Sequence, residues 1–203
     1  MLCLWGAVVL AGFMWFVIFV LEPFDFWISM SIATATLMSI ALLSNREILS
    51  SEKWSLRSVL YGVLLALVLY GIFWAGNILL KVIPLIPDAK EYIASVYERP
   101  TFLPRWAIGL LLLFPIGSGE EIFWRGFVQR VLMERMGIWP GFLLTLLLYA
   151  GIHVPTTNPV LILAALVAGG VWGLVYALTG DITLVVVSHA LWDLLSFVIF
   201  PFR

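Results

Sequence analysis

In the run "WAIGLLLLFPIGSGEEIFWRGFVQR", residues 106–130, the apolar stretch to Ile116 meets "GSGEEIFWRGFVQR", with its two adjacent glutamates and arginine, with no polar break between the two. Read as a soluble segment, its acids are a solvated face; read as a membrane helix, they are charges held inside a bundle. The rest of the chain decides between the two. It has 203 residues, 63% hydrophobic and only 11% charged, where a soluble domain carries about 25% charged residues, and its mean hydropathy is +1.10. This is the composition of a polytopic membrane protein. Apolar stretches near the roughly 20 residues needed to cross ~30 Å of hydrocarbon recur at the N-terminus and near 26–43, 56–80, 106–136, 139–153, 161–178 and 182–200. About seven spans are expected, in an all-α transmembrane bundle of about seven to eight helices. Backbone groups in lipid have to be satisfied internally, and the turn-punctuated alternation of a barrel is absent, so the spans are helices. With no repeat, low-complexity tract or linker, residues 1–203 read as one integral-membrane domain.

Composition also excludes. A net charge of −1, with Lys and Arg scattered, gives no footprint for nucleic acid. The single cysteine, Cys3, offers neither a disulfide nor a CxxC metal site. The N-terminus lacks the positive region and cleavage site of a secretory signal and is expected to be a retained helix. The segment "SNREILSSEKWSLR", 44–57, carries Arg46, Lys53 and Arg57, whereas the turn "EPFD", 22–25, is acidic. The positive-inside rule then places the N-terminus in the cytoplasm, and Arg125, Arg130 and Arg135 are counted on the same side. The segment 81–105, with four prolines and mixed charge, is expected as an interfacial loop or short helix. The expected setting is a multi-pass protein of the cell membrane, with the bilayer as its partner.

A charged side chain at the membrane centre costs roughly 2.5–3.5 kcal/mol even on lenient scales, so it faces the bundle interior and finds a partner. Glu121 and Arg125 stand at i and i+4, glutamate first, the favourable order for an ion pair on a helix. Glu120 is turned about 100° from Glu121 around the axis, and its own i+4 position holds Trp124. Its partner has to come from another helix. The two histidines of the chain, His153 in "LLLYAGIHVP" and His189 in "LVVVSHALWDLLSF", both fall in or at the end of apolar spans, and Asp193 lies at i+4 from His189. At 1.5 Å per residue, Glu120, His153 and His189 reach similar depths, which allows one shared cavity.

A glutamate, two histidines and an aspartate in a wet pocket within lipid suit hydrolysis. No serine lies in a nucleophile-elbow pattern and Cys3 is remote in sequence, so water is the expected nucleophile. Glutamate suits the work of general base, one histidine positions the water and another donates to a developing oxyanion. Zinc held by the carboxylate and histidines is the other chemistry this set allows, although no HExxH is present; on the residues alone both stay open. The reading adopted is a reaction without an obligatory metal or other cofactor.

Three motifs in order, "EEIFWRG" at 120–126, "YAGIH" at 149–153 and "HALWD" at 189–193, resemble the EExxxR, FxxxH and HxxxN/D motifs of the CAAX protease and bacteriocin-processing family (CPBP, or Abi) of intramembrane proteases. The resemblance implies a motif-bearing catalytic core at about 104–200. It implies Glu120 as the base that activates water with His153, His189 and Asp193 at the oxyanion, and Glu121 with Arg125 as a structural or orienting pair. Two positions depart from the usual pattern. Tyr149 stands where phenylalanine is usual, adding a hydroxyl that needs a partner. Asp193 stands where the eukaryotic Ras-converting relatives carry asparagine; since an ionised aspartate repels an oxyanion, it acts in its protonated form or by orienting His189. The implied activity is endopeptidase cleavage of a membrane-associated peptide or a protein C-terminal tail. The chain's own end, "IFPFR", is no CAAX box. The alternative is a non-catalytic bacteriocin self-immunity or membrane binding protein in which the polar cluster only joins helices; a proton-coupled transporter is disfavoured by the absence of inverted repeats.

Overall fold

A computed structural model describes residues 2–44, 55–83 and 85–202. It has eight helices and no strand among the described residues. Seven of them are long and apolar enough to cross a membrane, as expected of a multi-pass membrane protein. In chain order, α1 is Leu2–Phe16, extended by a π-helical turn over Val17–Leu21; α2 is Phe26–Ser44 and α3 is Leu56–Val82. The short α4, Ala89–Tyr97, is the helix anticipated in the proline-rich segment. α5 is a continuous helical rod over Arg105–Met136, α6 is Ile138–Gly151, α7 is Pro159–Thr179, and α8 is Ile182–Asp193 with a π-helical continuation over Leu194–Ile199. The basic residues Arg46 and Lys53, on which the expected topology leaned, lie outside the described residues.

Local chemistry sets the helix ends. Asn158 accepts from the Leu161 N–H at 2.9 Å to start α7, with Pro159 next, where a missing N–H costs nothing. Asp181 caps α8 in the same way through Leu184, at 2.9 Å. Between them Gly180 turns the chain at φ 68°, a left-handed conformation that favours glycine.

α5 is the axis of the bundle and the least regular helix in it. Pro115 lacks an N–H and crowds the preceding turn, and the rod widens to a π-helix over Leu112–Ile116 around it. It is α-helical over Gly117–Glu121 and π-helical again over Ile122–Gln129, where every side chain is buried. Small residues let the neighbouring helices close in. A Cβ at Gly117 would lie 2.9 Å from the Ala190 Cα on α8, and one at Gly119 would lie 2.9 Å from the Thr34 carbonyl oxygen on α2. The "GSG" before the glutamates is thus what draws two helices against α5 and sinks Glu120 and Glu121 into the middle of the bundle.

One part of the charge reading needs correction. Arg125 is counted above with Arg130 and Arg135 toward a cytoplasmic side, yet it is 1% exposed and sits in the expected ion pair with Glu121 inside the bundle. It carries no topological information, because the positive-inside rule concerns charges in loops and at helix ends.

Candidate active site

The two glutamates enter different surroundings. Glu121, fully buried, accepts hydrogen bonds at Oε1 from Arg125 Nη1 and His189 Nδ1, each at 2.8 Å. Arg125 continues through Nη2 to the Gly169 carbonyl on α7 at 3.0 Å, and its guanidinium lies 4.8 Å from the centroid of the Tyr149 ring. One turn along α5, Gln129 repeats the pattern, donating to the Gly173 carbonyl at 2.7 Å. His189 stacks on Trp172 with centroids 3.8 Å apart and planes 18° apart. The Trp172 indole N–H is itself fixed on Ser188 Oγ at 3.0 Å.

Among the described residues Glu120 has one hydrogen-bond partner, the hydroxyl of Tyr149, which donates to Oε2 at 3.0 Å. It comes from another helix, α6. His153 closes the same helix: its Nδ1 lies 2.9 Å from the Tyr149 carbonyl oxygen, and its Nε2 is 3.2 Å from Trp15 Nε1 on α1. A carbonyl only accepts and an indole N–H only donates, so the neutral imidazole carries its proton on Nδ1. The edges of Trp15, Phe19 and Tyr149 pack around the ring.

Glu120, His153, His189 and Asp193 line one cavity of about 110 Å³, large enough for several water molecules. Glu121 and Arg125 stand behind its wall. A second, almost wholly apolar groove of about 210 Å³ runs between α3, α4, α7 and α8 and shares Leu161, Ala164, Trp192 and Phe197 with that wall. Tyr97 of α4 lines this groove, and burial pushes its phenol well above the usual range.

Three contacts of the site go beyond what residue order shows. Asp193, for which orienting His189 is one of the two expected roles, has its Oδ2 3.6 Å from Nε2, beyond hydrogen-bond length, and the carboxylate that holds the ring is Glu121. His153 does not bond Glu120; both are tied to Tyr149, one at its backbone and one at its hydroxyl. Trp15 was not anticipated, and in a chain with ten tryptophans nothing marks it out. Tyr149 did carry a signal, as a hydroxyl where an apolar ring is usual. Among the described residues no three His, Cys, Asp or Glu side chains are grouped to hold a metal ion. Cys3 is exposed and bonds Ser44 Oγ, remote from the cavity.

Residues 101–195 match the family described as Rce1-like, type II CAAX prenyl endopeptidase. The matched segment holds every residue of the cavity's polar wall; Trp15 lies outside it. No curated protein and no solved structure matches the chain.

Proposed function

The chain belongs to the CAAX protease family through its segment 101–195, and from that premise we propose that it is a glutamate-dependent intramembrane endopeptidase of the cell membrane. The observation that carries the reading is the unshared oxygen of Glu120. Oε2 is held by Tyr149, while Oε1 has no hydrogen-bond partner among the described residues, and Glu120 lines the cavity together with His153, His189 and Asp193.

A water molecule hydrogen-bonded to Oε1 is positioned with help from His153, whose Nε2 exchanges the long bond from Trp15 for one from the water. Glu120 takes a proton from the water as its oxygen attacks the scissile carbonyl carbon. His189, in its imidazolium form between the carboxylates of Glu121 and Asp193, donates from Nδ1 to Glu121 and presents Nε2–H to the oxygen that gains the charge. The tetrahedral intermediate collapses with cleavage of the C–N bond, and Glu120 returns the proton to the leaving amine. The scissile bond lies in a membrane-associated peptide or a protein tail, delivered from within the bilayer. Every proton in this scheme moves through residues of the chain, and it requires no metal.

Glu120→Gln and His153→Ala, each purified in detergent or returned to liposomes, are expected to remain folded and to lose at least the ~10²-fold typical of a missing general base or its partner. Full cleavage by Glu120→Gln would sink the hydrolase reading. A variant that no longer cleaves yet still confers a bacteriocin-immunity or binding phenotype would favour the non-catalytic alternative.

A further inference from the structure

Among the described residues, Tyr149 is hydrogen-bonded to both members of the pair assigned to water activation. Its hydroxyl donates to Glu120 Oε2 at 3.0 Å, and its carbonyl accepts from His153 Nδ1 at 2.9 Å. The ring between these two bonds is clamped. Gly169 lies so close beneath it that a Cβ there would sit 2.6 Å from Tyr149 Cδ1. The edge of Trp124 meets it at 5.4 Å between centroids, and the Arg125 guanidinium lies over its face at 4.8 Å. The tyrosine is 5% exposed, so neither the ring nor its hydroxyl swings away without displacing these neighbours. A free glutamate side chain rotates about three bonds and offers its two oxygens interchangeably; one short bond from a fixed donor removes that freedom and sets which oxygen meets the water.

We propose that Tyr149 is a positioning residue for hydrolysis, its hydroxyl anchoring Oε2 of Glu120 so that Oε1 alone is presented to the cavity water, while its carbonyl holds His153 in register on the same helix. The assignment rests on the hydrolase reading, and it places the anchor at the position where the resembled family usually carries phenylalanine. In this chain the motif's aromatic residue works at both ends, through backbone and side chain.

The test is Tyr149→Phe in the full chain, with two readouts. Phenylalanine fills the space between Gly169 and Trp124, so the fold is retained. The infrared difference between the protein and Glu120→Gln isolates the Glu120 carboxyl band without any need for activity. Tyr149→Phe is expected to displace that band, and an unmoved band overturns the proposal. In the cleavage assay kcat is expected to fall by about tenfold, the effect of one hydrogen bond to a charged group, with KM unchanged. A displaced band with an unchanged kcat overturns the positioning role and leaves the hydrolase reading standing. A protein that cleaves nothing while its band still responds to Tyr149→Phe removes the hydrolase reading, and with it the role assigned to the bond, though not the bond itself.

Discussion

Glu120 and Glu121 are neighbours in sequence, on one helix and at one depth, and they enter opposite surroundings. Glu121 is closed in by Arg125 and His189, both bonded to a single oxygen at 2.8 Å, with no exposed surface. Glu120 is 7% exposed, bonds one tyrosine and keeps an oxygen open to a cavity. The difference arises from about 100° of rotation and from what each neighbouring helix brings: α8 brings a histidine, whereas α6 brings a tyrosine and leaves room for water. An adjacent acidic pair in a membrane helix is therefore not two copies of one function. The closed member ties α5 to α8, and the open one is the member to which the proposed mechanism assigns the chemistry.

The strongest way to break this contrast is to remove the closed half. Glu121→Ala strands both Arg125 and His189, and Arg125→Ala leaves Glu121 with His189 as its remaining partner. Losing one partner of a buried pair costs roughly 3–5 kcal/mol. The knot has little in reserve, since Glu121 Oε2 and Arg125 Nε are already buried without a protein partner. Both variants are expected to purify in low yield and to melt well below the parent protein, and Glu120→Ala is expected to lose less, because it strands only a tyrosine hydroxyl beside a cavity. Melting temperatures in one detergent decide the matter: if Glu120→Ala is the least stable of the three, the roles of the two glutamates are reversed.

Much of this arrangement could be read from residue order. The number of spans follows from bilayer thickness, which demands long apolar runs and tolerates few interruptions. The Glu121–Arg125 pair follows from i, i+4 spacing, and Glu120's need for a partner on another helix follows from the lack of a base one turn on. What could not be read depends on packing between helices distant in sequence. The π-helical stretches of α5 form where Pro115 and the close approach of α2 and α8 make widening easier than regular winding, and no periodicity announces them in a helix apolar on every side. Glu121's second bond, to His189, spans 68 positions. Arg125 counts toward the side of the membrane only if it lies at a helix end, and its burial inside the bundle removes it from that count.

A subtler way to sharpen the comparison acts at Gly169, where the two halves meet. Its carbonyl receives Arg125 from the closed side, and its bare Cα supports the Tyr149 ring on the open side. Gly169→Ala forces a methyl group against that ring and is expected to cost about 1–3 kcal/mol as overpacking. It is also expected to depress cleavage by moving the hydroxyl that holds Glu120. Gly170→Ala is the control, since its nearest neighbour would be Leu146 at an ordinary 3.9 Å. Thermal melts and kcat on both variants test the idea; equal behaviour of the two would show that the ring has room to shift and that the open half is not held as described.

The smallest effect is expected from removing metal. A catalytic zinc site takes three protein ligands and leaves a fourth position for water, and Glu120, His153 and His189 are the residues that would supply it. In the structure His153 Nδ1 faces the Tyr149 carbonyl and its Nε2 accepts from Trp15, so a metal at that ring has to displace the indole. His189 is bonded through Nδ1 to Glu121, which leaves only Nε2, with Asp193 Oδ2 3.6 Å away. A carboxylate behind a histidine also suits a ligated imidazole, so the Glu121–His189 bond alone does not separate the two chemistries; the Trp15 bond at His153 favours the one without metal. A strong chelator is accordingly expected to leave cleavage unchanged, and elemental analysis of the active protein to find zinc far below one atom per chain. Near-stoichiometric zinc, with activity lost on chelation and restored by zinc, would turn Glu120 from base into ligand and make the open half of the pair a metal centre, while the closed half kept its part in holding the helices.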